Sequence, residues 1–216
     1  MNKQKDYTMI KVFALFMSLV LLPLTTHAAN FDHAANFEEG NQYQVIKQTA
    51  TTTPQVTEYF SFYCPHCKAF EPYINDLKVQ LPDNVKFNKN HVNFLGGEMA
   101  VELTKAYAAA ELLEVEDKVA ELLFDSIHVK HKVNYSENDL LDIFEQAGVD
   151  RKEAESTLQS FAVNGIASQM KRNTEVSGVR GVPTVIVNGK YQINRGKLKT
   201  EQEFIDLVNF LLKKKG

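Results

Sequence analysis

Cys64-Pro65-His66-Cys67 holds both cysteines of this 216-residue chain, so whatever disulfide they form is the only one the chain can make within itself. The spacing is that of a redox-active dithiol. An apolar run, Tyr59-Phe60-Ser61-Phe62-Tyr63, leads into it and Lys68-Ala69-Phe70-Glu71 follows, which predicts a strand running into the first turn of a helix. Cys64 then sits at a helix N-terminus, where unpaired N–H groups and the positive end of the helix dipole favour a thiolate over a thiol. Pro65 suits the first helical position, which needs no N–H. A protonated His66 would add positive charge beside the same sulfur. Cys67, one turn in, is expected to be the more buried partner. Stabilising the reduced form makes the disulfide easier to reduce, the property of a disulfide donor rather than of a reductase.

Zinc sites use the same Cys-x-x-Cys spacing, but a structural zinc needs four ligands and there is no second cysteine pair. His128 and His131 could in principle supply the rest; among Lys130 and Lys132 they read more simply as polar residues at a helix end, and no metal is expected. A second signal is Gly181-Val182-Pro183-Thr184, a proline directly before a β-branched strand and after a glycine-containing break. Alone it would pass for an ordinary loop proline; beside a dithiol it suggests a tight turn with a possible cis bond.

The elements that must position these residues follow from periodicity. Residues 43–47 could form an edge strand, and Gln55 to Phe60 reads as a buried central strand in which Glu58 is the odd member. Phe70 to Gln80 keeps helical spacing, although Pro72 predicts a kink or local distortion. Val85 to Val92 alternates as a strand that Gly96-Gly97 ends. A strand, a dithiol helix and a strand form the setting in which Cys-x-x-Cys is read as thioredoxin-like.

From Glu98 to about Gly178 the chain turns wholly helical: Glu98 to Leu113, Val115 to Ile127, Leu140 to Ala147 behind a capping box at Ser136 to Asp139, and a further helix starting at Asp150. Strand signals return at Thr184 to Val187 and Lys190 to Ile193 around the turn pair Asn188-Gly189. A helix capped by Thr200 closes the chain, burying Phe204, Leu207, Val208 and Leu211. The expected class is α/β: 29–97 and 178–216 form a thioredoxin-like domain, and 98–177 an inserted all-helical domain.

The composition is that of a globular chain, 44% hydrophobic with net charge −3, and the lack of a long basic run argues against nucleic acid as a partner. Lys3, Lys5 and Lys11 precede the apolar run Val12 to Leu24 and then Thr26-His27-Ala28, the pattern of a secretory signal peptide over residues 1–28. A membrane anchor is the competing reading, but the run is short of the roughly 20 residues needed to span a bilayer. Cleavage removes three lysines and Asp6, taking the net charge from −3 to −5. The expectation is a soluble, exported protein in an oxidising compartment.

Taken together, Glu-Tyr-Phe-Ser-Phe-Tyr-Cys-Pro-His-Cys at 58–67, His-Val-Asn-Phe-Leu-Gly-Gly at 91–97 and Gly-Val-Pro-Thr at 181–184 resemble the DsbA family of periplasmic thiol oxidases, across essentially the whole exported sequence. The resemblance implies a thioredoxin fold with a helical insertion, a nucleophilic Cys64, a resolving Cys67 and a cis bond between Val182 and Pro183. It also implies a charged pair beneath the active site, Glu58 with Lys89, which would tune the thiol and relay a proton if buried and matter little if exposed. Lys68, at a position where family members vary, would slightly favour the Cys64 thiolate. An extended substrate segment would pair with the backbone at Val182, without sequence selectivity.

The implied clients are reduced or unfolded exported proteins, the implied reoxidant is a membrane quinone reductase of the DsbB type in a Gram-negative periplasm, and a monomer is expected. No cofactor is expected beyond the Cys64–Cys67 disulfide. The competing functions are a disulfide isomerase or reductase, which shares fold and cysteines, and a peptide-binding chaperone with an incidental dithiol. The dimeric type of isomerase would need a separate dimerisation domain, for which no residues remain.

Overall fold

The computed structural model describes residues 36–214; the expected signal peptide and His33 lie outside these residues. The elements in chain order are β1 (Tyr43–Val45), β2 (Gln55–Phe60), α1 (Pro65–Gln80), β3 (Lys86–His91), α2 (Glu98–Leu112), α3 (Glu116–His128), α4 (Glu137–Gln146), α5 (Arg151–Leu158), α6 (Phe161–Ser177), β4 (Thr184–Val187), β5 (Tyr191–Ile193) and α7 (Glu201–Lys213), with a 3-10 turn at Arg195–Lys197 before the last helix.

The five strands form one mixed sheet in the order β1-β5-β4-β2-β3. β2 and β3 are parallel, connected through α1, whereas β4 runs antiparallel to β2 and the hairpin continues antiparallel to β5 and β1. Asn188 and Gly189 both take positive φ, 51° and 65°, the conformation a primed hairpin turn demands. This is a thioredoxin-type sheet, and α2 to α6 run between β3 and β4. The fold is therefore α/β, a thioredoxin fold carrying a helical insertion.

Alternation along the strands fixes which side chains look towards α1. Val56, Glu58 and Phe60 share one face of β2, and the parallel register sets Glu58 opposite Lys89 and Phe60 opposite His91. On this side α1 and α7 pack Phe70, Ile74, Leu77, Phe204, Leu207, Val208 and Leu211 against Val56, Val185 and Val187. A second core joins the site to the insertion: Phe60, Phe62, Cys64 and Cys67 are continuous with Tyr107 of α2, Phe124 of α3 and Phe144 of α4.

Pro72 lies exposed within α1, which stays helical on both sides of it. One feature goes beyond expectation. The helix beginning at Asp150 ends at Leu158, and Ser160 caps a fifth one, its Oγ accepting from Val163 N at 3.2 Å. The Ser136 capping box forms, with Asp139 in the third position.

Candidate active site

Cys64 is the N-cap of α1 and Pro65 its first residue. The backbone N–H of Cys67 donates to Cys64 Sγ at 3.1 Å, and Cys64 Sγ lies 3.5 Å from the carbonyl oxygen of Val182. The Val182-Pro183 peptide is cis. Both sulfurs are thiols here, Cys67 fully enclosed and Cys64 4% exposed. The dithiol, Val182 and Pro183 are thus brought together from two ends of the sequence, while Pro65 and His66 stand exposed at the mouth.

The hydrogen bond donated by the Cys67 thiol is the main reason the Cys64 thiol is drawn below its ordinary range, to about 6. Partial burial opposes this; the N–H groups of Cys67 and His66 then add to the lowering, and the charge of the His66 ring contributes least. Cys67 moves the opposite way, raised by donating to Cys64, by burial and by the negative charges of Cys64 and Glu58. One sulfur is therefore built to be an anion and the other to keep its proton. The helix end and His66, the contributors expected from sequence, are outweighed by the neighbouring thiol. Lys68 is not part of this: its Nζ pairs with Asp125 of α3 at 2.5 Å.

Beneath the cysteines, Glu58 is completely buried; its Oε2 lies 3.3 Å from Lys89 Nζ as an ion pair, and neither carboxyl oxygen has a hydrogen-bond partner. Desolvation dominates, and the Glu58 carboxyl is pushed up to about 7 despite Lys89. Lys89 makes its shorter contact, 2.6 Å, with Glu71 Oε1 on the second turn of α1. The sequence reading missed Glu71, although four residues past Cys67 on a helix is the same face. Glu58 and Lys89 are buried and Glu71, part-exposed, closes the cluster from α1, so this is not a surface pair.

Two histidines shape the approach to the dithiol. His91 is fully buried, its Nε2 accepting from Phe62 N at 3.2 Å and its Nδ1 within 2.7 Å of Thr104 Oγ1. Burial holds the ring neutral, down to about 3. The proton is accordingly on Nδ1, donated to Thr104. His128 is not a bland helix-end residue, since its Nε2 lies 2.8 Å from the Phe62 carbonyl oxygen. Phe62 is thus held at both backbone groups, two residues before Cys64. Nearby, a Cβ on Gly96 (φ 109°) would fall 2.2 Å from the Tyr63 ring, so the loop after β3 needs glycine to close over this segment. Among the described residues no cluster of three or more potential metal ligands occurs.

A Cys-x-x-Cys at the head of the first helix of such a sheet, facing a cis proline, defines a thiol:disulfide oxidoreductase of the thioredoxin type. The DSBA-like thioredoxin domain profile matches residues 55–202. The chain is 39% identical to the thiol:disulfide interchange protein DsbA of Escherichia coli O6:H1 over 191 residues, covering 84% of this chain and 91% of that protein. It is 40% identical to the DsbA of Pectobacterium carotovorum over the same shares. The crystal structure of DsbA from Proteus mirabilis superposes with a TM-score of 0.76 at 34% identity, covering 84% of this chain and all of that one. Another structure of the Proteus protein holds the non-covalently bound peptide PWATCDS. The chain belongs to the DsbA family and is a thiol:disulfide oxidoreductase.

Proposed function

We propose that this protein works as an oxidase in the periplasm, passing its Cys64–Cys67 disulfide to newly exported reduced proteins and then being reoxidised by a membrane quinone reductase of the DsbB type. The observation that carries the direction is the Cys64 sulfur, whose thiolate is stabilised by the Cys67 thiol and two N–H groups. Those bonds favour the reduced protein and so make its disulfide oxidising. The signal-peptide pattern expected over residues 1–28 supports the compartment, and among the described residues no helix is long and apolar enough to cross a membrane.

In the first step a substrate thiolate attacks Cys64 Sγ of the disulfide. The Cys64–Cys67 bond breaks and its electron pair leaves on Cys67, giving a mixed disulfide between substrate and Cys64. Cys67 holds a proton strongly, and Glu58, poised near neutrality beneath it, supplies one and remains as a carboxylate beside Lys89. A second substrate thiolate then attacks the substrate sulfur of the mixed disulfide and expels Cys64 as its stabilised thiolate. The substrate leaves oxidised and the protein reduced by two electrons. The Val182 backbone beside Cys64 gives an extended substrate a place to pair. The reactive group is the disulfide itself, with no further cofactor invoked.

The test is the equilibrium potential of the pair against glutathione, with urea unfolding of both redox forms. A potential more oxidising than the glutathione pool, with the reduced form more stable, is expected. A potential near that of thioredoxin, with the oxidised form more stable, would replace the oxidase with a reductase.

A further inference from the structure

Main-chain pairing at Val182 carries no side-chain selectivity, yet a cation lines the groove that reaches the neighbouring Pro183. Arg195 opens the 3-10 turn after β5. It lines a groove of about 440 Å³ running from Pro183 past Tyr43 and Ile193, and also a smaller pocket of about 150 Å³ against Tyr73 and Phe204. Its guanidinium carbon lies 3.5 Å from the centroid of the Phe70 ring. Phe70 is itself pinned in the core, three residues beyond Cys67 on α1. The cation is therefore anchored on the dithiol helix by a ring that cannot move aside.

What the guanidinium lacks is an anion. Arg151 pairs with Asp142 and Glu145, and Arg172 bonds Gln169; Arg195 has neither an ion-pair partner nor a hydrogen-bond acceptor among the described residues. It is half-buried, and burial lowers its proton affinity, with the negative charges of Cys67, Glu58, Tyr73 and Cys64 acting against that loss. A partly desolvated guanidinium with its donors free is a preformed fork for a carboxylate. Lys197 and Lys199, both exposed, extend the positive field along the same segment. On the far rim, beside Gly40, stands the exposed Glu39.

We propose that Arg195 is a specificity-determining residue that favours substrates with an aspartate or glutamate close to the reacting cysteine, receiving the carboxylate in a two-point contact at the Pro183 end of the groove. This inference rests on the oxidase reading given above. The experiment measures stopped-flow oxidation of reduced two-cysteine peptides that differ only in carrying Glu or Gln at each of the two positions on either side of the attacking cysteine. Using the ratio of the two rates cancels any effect Arg195 has on the dithiol itself.

Wild-type protein should oxidise the best Glu peptide roughly five- to tenfold faster than its Gln counterpart at low salt, a preference that fades as salt rises. R195Q should bring the ratio close to one, and R195K, with the charge but without the fork, should fall between. Thermal unfolding of both variants checks that they are folded, and the Kd of a peptide with serine in place of the attacking cysteine should show the same Glu-to-Gln contrast without chemistry. Equal rates for Glu and Gln peptides with wild type, or an unchanged ratio in R195Q, would overturn the inference while leaving the oxidase intact. Failure of wild type to oxidise any of the peptides would overturn the oxidase reading and this inference with it.

Discussion

At the level of single residues, the two sulfurs divide one task. As a thiolate Cys64 accepts hydrogen bonds, one of them from the Cys67 thiol, so removing that donor should matter more than removing the nearby charge. C67A should move the thiolate absorbance at 240 nm of Cys64 to higher pH than H66L does, because the thiol hydrogen bond exceeds the ring's contribution. In the reduced wild type the midpoint should lie near 6. Its folded value is depressed, so this thiolate stabilises the reduced fold fully above about pH 8.5, and the contribution is lost as pH falls through 6. Glu58 has the opposite sign: its folded value is raised to about 7, and the fold is favoured by its proton below the unfolded carboxyl range and loses that support as pH rises through 7. Unfolding of E58Q in urea should therefore show a stability gain over wild type that grows from about pH 4.5 to 7 and then levels off.

Among the elements, β3 and α2 together hold the turn that leads into α1. The ring of His91 accepts from the Phe62 N–H and donates its Nδ1–H to Thr104 of α2, so strand, helix and pre-cysteine turn share one buried chain of hydrogen bonds. T104V preserves shape but strands a buried N–H, and about 2 kcal/mol of stability should be lost in urea unfolding. Because the buried imidazole stays neutral, stability from His91 is complete above about pH 6.5 and lost as the medium falls through about 3. Replacing His91 by Phe should reduce the pH slope of the unfolding free energy in that window by up to about one proton relative to wild type.

Across the whole molecule, the aromatic cluster ties the insertion to the dithiol. Phe62 packs at 5.1 Å between ring centroids against both His91 and Phe124, and Phe60 at 5.1 Å against Tyr107. The helices of the insertion therefore form the wall behind the active-site turn rather than a detached module. F124A, on α3, should cost about 3–5 kcal/mol. Far-ultraviolet circular dichroism and tyrosine fluorescence should nevertheless report one coincident urea transition, since the same core serves both parts. Two separate transitions would show that the insertion unfolds independently.

The dithiol, the helix that carries it, the closing hairpin and the capped last helix are legible in the amino-acid order, because each rests on local rules: helix-end electrostatics, turn residues with positive φ and apolar periodicity. Ser136, Thr200 and Asn188-Gly189 announce their structures within four residues. What the dithiol meets is set by the packing of elements far apart in the chain. That Glu58 faces Lys89 depends on parallel register between strands 31 residues apart in pairing, and that Lys89 also reaches Glu71 depends on how α1 crosses the sheet. His91 gripping Phe62, His128 reaching back across the fold and Arg195 lying on Phe70 are contacts between residues distant along the chain. Spacing cannot report such contacts, since it encodes which face a side chain occupies and not which element will cover that face.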